Sequence, residues 1–133
     1  MVDKPSVAVI ALGLNDSANA AFSANALSSV QALLAGGVQK VFIVGPWPVR
    51  DSVAANYTAH GPLLAAVATA TGQSFIDTLN PVPWVYGDGY AAHTTGLGNS
   101  DLITNSDGTH PSPYGKEYYA WRIAQGIIST GRL

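Results

Sequence analysis

Apolar residues along the chain fall into short continuous runs that alternate with longer segments of helical period. Ser6 to Leu12 is nearly all apolar, carries several β-branched residues and ends in Gly13. A short apolar run closed by glycine predicts a strand buried on both faces, as in a parallel sheet. Gly13-Leu14-Asn15-Asp16 follows as a tight turn, with Asp16 or Ser17 placed to N-cap a helix reaching about Ala35. Phe22, Leu27, Val30, Leu33 and Leu34 recur along it at helical spacing, and Gly36-Gly37 supplies the stop. Val41 to Val44 predicts a second strand, broken at once by Gly45-Pro46-Trp47-Pro48 because proline cannot donate to a ladder. A second helix is predicted from about Ser52 to Thr71, with Leu63, Leu64 and Val67 facing inward and Gly72 ending it. Pro62 either kinks that helix or starts another. Ser74 to Ile76 reads as a third, short strand before Asp77.

From Thr78 to Thr109 no period survives. Loops of that length in compact domains are mostly functional or disordered, and Trp84, Tyr86 and Tyr90 favour an ordered, packed one. The last helix takes Ser112 as N-cap and Pro113 at its first position, and runs through Tyr114 to Ser129. Tyr118, Trp121, Ala124, Ile127 and Ile128 form its apolar stripe. The resulting alternation of strands and helices predicts an α/β fold, a parallel sheet of about three strands flanked by helices, in one domain spanning 1–133.

Composition narrows the functional classes. Hydrophobic residues make up 47% and charged residues 11%, the reverse of a disordered chain. Six Lys and Arg are scattered singly within a net charge of −2, so no basic stripe is present to hold nucleic acid or anionic lipid. With no cysteine, disulfides, thiolate metal sites and cysteine nucleophiles are excluded. No His/Asp/Glu set has metal-ligand spacing, and Gly87-Asp88-Gly89 is too short for a calcium loop, so no metal or cofactor is expected. The opening Met1 to Ser6 is too polar for a signal peptide, and no apolar run approaches a membrane span; the sequence assigns no location.

Two segments carry candidate chemistry. Asp107-Gly108-Thr109-His110 places a carboxylate and an imidazole three residues apart, ahead of Pro111-Ser112-Pro113. A carboxylate at that spacing can orient and charge-stabilise a histidine acting as general base. A helix-capping loop with an incidental histidine is the plainer reading of that segment alone. In open α/β sheets ligands bind beyond the carboxyl ends of the strands. Gly13-Leu14-Asn15-Asp16 follows the first strand and the Asp107–His110 loop follows the third, so both belong to one rim. There Asn15 offers an amide donor suited to a developing oxyanion, and Gly13 allows a sharp turn close to a substrate. For Asp16, helix capping is the better explanation.

Together these segments resemble the SGNH (GDSL-type) hydrolases. Gly13-Leu14-Asn15-Asp16 after an apolar strand is similar to the family's G-x-N-D block, and Asp107-Gly108-Thr109-His110-Pro111 before the final helix to its D-x-x-H-P block. Gly45-Pro46 and Phe75-Ile76-Asp77 also look like that family. The resemblance implies a three-layer fold and cofactor-free hydrolysis of esters, often acetyl groups on sugars or lipid acyl esters. It implies Asn15 as oxyanion donor, His110 as general base and Asp107 as its orienting carboxylate. Gly13, Trp47 and Trp84 are the candidate substrate contacts, the tryptophans by stacking on sugar rings, although aromatics in loops more often pack the loop itself.

The departure is the nucleophile. The family opens with a strand ending in G-D-S, followed by a block with an oxyanion glycine, both ahead of G-x-N-D; here the first strand already carries G-x-N-D. Gly98-Asn99-Ser100-Asp101-Leu102 imitates G-D-S-L, but no apolar strand precedes Ser100 to build the rigid elbow a nucleophile needs. Ser17 is better explained as a cap, His60 as a mid-helix or kink residue, and His93 as a solvated loop residue. The expectation is therefore one part of a serine ester hydrolase, completed by a chain or N-terminal part bearing the G-D-S strand. The alternative is a non-catalytic binding or structural module of the same fold. In either case a partner strand, from that complement or from a second copy, is expected along Ser6 to Leu12.

Overall fold

In the computed structural model, which describes residues 5–13, 15–46, 53–78 and 110–131, six elements follow the predicted order. They are β1 (Val7–Ala11), α1 (Ala20–Ala35), β2 (Lys40–Val44), α2 (Val53–Thr71), β3 (Ser74–Ile76) and α3 (Pro113–Ser129). The chain forms two compact units, Met1–Pro46 with Thr58–Ile76, and Trp47–Tyr57 with Asp77–Leu133.

The first unit holds a three-stranded, all-parallel sheet in the order β1-β2-β3, giving the α/β fold. Val9 lies opposite Phe42 and Ile43 opposite Phe75, so the side-chain faces follow from alternation along the strands. On one face Val41 and Ile43 of β2 pack with Phe22, Ala26 and Val30 of α1 and with Leu64, Val67 and Ala68 of α2. Ala8, Ile10 and Phe75 border this cluster from the outer strands. Both crossover helices thus lie on the same face, as two same-handed βαβ steps in one direction require. On the other face Phe42, Val44 and Ile76 are buried, while Val7 and Val9 remain 40% and 49% exposed.

β1 departs from expectation here. Its side chains alternate between exposed and half-buried, instead of being buried on both faces. Among the described residues it pairs with β2 alone, and the side chains of its outer face are exposed.

The helix ends show local chemistry at work. Asn19, not Asp16 or Ser17, caps α1, its side chain accepting the Phe22 N–H at 3.0 Å. That oxygen satisfies one of the orphan donors of the first turn. Asp16 and Ser17 stay outside the helix because the turn after β1 runs two to three residues longer than predicted. Gly37, at φ +99°, ends α1: its N–H and that of Val38 donate to the carbonyls of Leu34 and Leu33. Gly72 repeats the arrangement after α2, Gln73 N–H reaching Ala68 at 2.8 Å. Gln73 then returns its side-chain oxygen to Val41 N–H at 2.8 Å, tying the β3 entry to β2. Pro62 lies inside α2, which runs on as one helix.

In the second unit α3 is capped as predicted, Ser112 Oγ accepting the Gly115 N–H at 3.0 Å with Pro113 opening the helix. Its apolar stripe, however, is not its buried side. Gly115 and Arg122 are buried, whereas Tyr114, Trp121 and Ile128, seven residues apart, are 64%, 52% and 59% exposed. Arg122 is held by Tyr118, whose hydroxyl accepts from Nη1 at 3.1 Å, and Tyr118 stacks on Trp121 at 5.8 Å. The guanidinium also lies over the Tyr118 ring, 5.7 Å from its centroid. Burial also pushes the Tyr119 hydroxyl above the ordinary tyrosine range.

Candidate functional site

Parallel strands share one carboxyl rim. In the first unit that rim carries the Gly13–Asp16 turn after β1 and the buried Gly45-Pro46 after β2. The ladder extends one step past β1, Leu12 N–H donating to Val44 at 3.3 Å, so the turn starts from a fixed point. Gly13 is buried and adopts φ +99°, a conformation that side chains oppose. Asn15 and Asp16 then emerge exposed.

The turn rests on a residue that the sequence places as a mid-helix or kink residue, and it does lie within α2. His60 of α2 is 3% exposed. Its Nε2 lies 3.0 Å from the Asp16 carbonyl oxygen; since a carbonyl only accepts, Nε2 carries the proton in this contact. The Phe22 ring meets the imidazole edge-on, centroids 4.8 Å apart. A methyl group at Gly13 would come within 2.9 Å of His60 Cδ2, so the ring lies directly beneath the Gly13 backbone. The helix spacing held the signal: His60, Leu64 and Val67 follow one another at four and three residues, and all three are buried.

The remaining candidates are distributed as follows. His110 is exposed, two residues ahead of the Ser112 cap, and belongs to the second unit; Asn15 belongs to the first. Asp107, Trp47 and Trp84 lie outside the described residues, as do Ser100 and His93. Among the described residues no three His, Asp or Glu side chains gather into a metal-binding group. No described helix is long and apolar enough to cross a membrane.

Chemically, the first unit presents a carboxamide on a glycine-initiated turn at the carboxyl edge of a parallel sheet. Such a group can donate a hydrogen bond to negative charge developing on a bound carbonyl. No protein-family model, no curated protein and no solved structure matches the chain.

Proposed function

We propose that this chain is part of an SGNH-type serine ester hydrolase acting on carbohydrate or lipid esters. Asn15 donates to the oxyanion, His110 is the general base and Asp107 orients it. The serine comes from a segment bearing the G-D-S strand, in a separate chain or an N-terminal part. The observation that carries this reading is the Gly13–Asp16 turn, with its positive-φ glycine, its exposed asparagine and its place after a parallel strand. Among the described residues β1 has a strand on one side only, which supports the second half of the reading, since an apolar strand suits a further neighbour.

Turnover of a short-chain aryl ester tests it. The chain alone is expected to be inert, and the complex with its G-D-S partner active. In that complex Asn15→Ala should lower kcat by about a hundredfold to a thousandfold, the usual cost of one oxyanion donor. An active complex indifferent to both Asn15→Ala and His110→Ala would refute the assignment. A non-catalytic module is the second reading; the exposed row Tyr114, Trp121 and Ile128 on α3 favours it, because it offers apolar surface to a partner rather than chemistry.

A further inference from the structure

We infer that His60 is a positioning residue that sets the backbone on both sides of Asn15. The inference rests on the oxyanion role proposed for Asn15. His60 touches the turn twice: its ring carbons support Gly13 from below, and its Nε2–H holds the Asp16 carbonyl at 3.0 Å. Those contacts fall two residues before and one residue after Asn15. The exposed asparagine therefore extends from a backbone clamped at residues 13 and 16, although nothing need touch its own side chain.

The imidazole lies beside apolar groups as well as the turn. Its neighbours on the inner side of α2, Leu64 and Val67, and the Phe22 ring opposite are apolar. A leucine would fill such a site without a polar group to satisfy, whereas a buried imidazole is costly unless hydrogen-bonded. The Asp16 carbonyl is an acceptor on an exposed turn that water would otherwise solvate. Spending a buried donor on it gains little stability but removes freedom from the turn. Donors aimed at developing charge act through such preorganisation, and a site is only as precise as the residues that support it.

Solution NMR of the full chain tests this directly. The His60 Nε2–H should be observed at neutral pH and exchange slowly with water, and the Asn15 and Asp16 amides should show the order of rigid backbone, about 0.85. In His60→Phe, which keeps a ring against Phe22 and Gly13 but has no donor, those order parameters should fall towards about 0.6. His60→Gln, whose amide restores a donor near Nε2, should recover them. A ring N–H exchanging as fast as that of an exposed histidine overturns the inference. So does a His60→Phe turn as rigid as the wild type, or a glutamine that rescues nothing. If His60→Phe does not fold, the wild-type ring proton decides alone. None of these readouts requires ester turnover, so an inert complex would count against the hydrolase reading and leave the clamp standing, and a mobile turn would do the opposite.

Discussion

β1 and β2 are neighbours of equal length, VAVIA against KVFIV, and their apolar residues are of similar kinds. Val41 to Val44 are buried without exception, whereas no residue of β1 is fully buried. Composition does not separate the two strands; neighbours do. β2 is hydrogen-bonded on both sides, while β1, among the described residues, is bonded on one. Ser6 accepts from Lys40 and Leu12 donates to Val44, so by alternation Ala8 and Ile10 also direct their backbone groups at β2. The N–H and C=O groups of Val7, Val9 and Ala11 then face away from it. Those same three residues carry the exposed side chains. Among the described residues β1 is thus unpaired along one edge and about half exposed on its outer face, yet it has no lysine, proline or other device that blunts an edge. Leaving Val7 and Val9 about half exposed forgoes roughly 1 kcal/mol of burial each. The composition of the strand suits a second neighbour, and among the described residues it has one.

The strongest test of the contrast is a truncation on each strand. Ile43→Ala removes a side chain with no exposure from the centre of the cluster. It should cost about 2–5 kcal/mol, the range for large-to-small changes in a core that cannot fully collapse. Urea denaturation measures it, with Val9→Ala as the companion variant; equal losses would erase the distinction between the strands.

A smaller loss is expected where β1 ends. Gly13→Ala puts a methyl group into a backbone at φ +99° and against the His60 ring. The expected cost is about 1–3 kcal/mol, typical of one strained residue. The same melts detect it. A loss below about 0.5 kcal/mol, the scatter of surface substitutions, would mean that the turn is not pinned as described.

Much of this arrangement was legible in the chain. Short apolar runs closed by glycine marked the first two strands, a shorter run before Asp77 marked the third, and Ser112-Pro113 marked the start of α3 because both residues act locally. The cap of α1 was misplaced since Asp16, Ser17 and Asn19 are all competent caps; the length of the turn decides among them, and the contacts of that turn include one with His60, 44 residues beyond Asp16. The inner side of α3 was misread for a related reason. Hydrophobic spacing selects Trp121, but Arg122 is the buried side chain and bonds to the Tyr118 hydroxyl, and pairing is invisible to a pattern of apolar positions. Of the candidate site, the turn at Asn15 follows from Gly13 and the end of β1. The pairing of Asp107 with His110 rests on sequence spacing alone, Asp107 lying outside the described residues.

The smallest expected change in stability is the one that bears most on the partner. Val9→Lys alters a side chain already 49% exposed, so the stability of the isolated chain should move by no more than about 0.5 kcal/mol. Association should respond differently. A charge in the middle of an open strand opposes a second strand laid beside it, because the ammonium would have to be desolvated against apolar neighbours. Wild-type chain is therefore expected to self-associate in sedimentation velocity as its concentration rises, or to bind a G-D-S complement when one is supplied. Val9→Lys should sediment as a monomer and bind neither. Amide exchange identifies the surface involved. In the monomer Ala8, Ile10 and Leu12, which face β2, should exchange slowly, and Val7, Val9 and Ala11 fast; on association the second set should slow to match the first. A wild-type chain that stays monomeric with Val7, Val9 and Ala11 already protected would defeat the proposal, because another segment of the same chain would then be covering the edge.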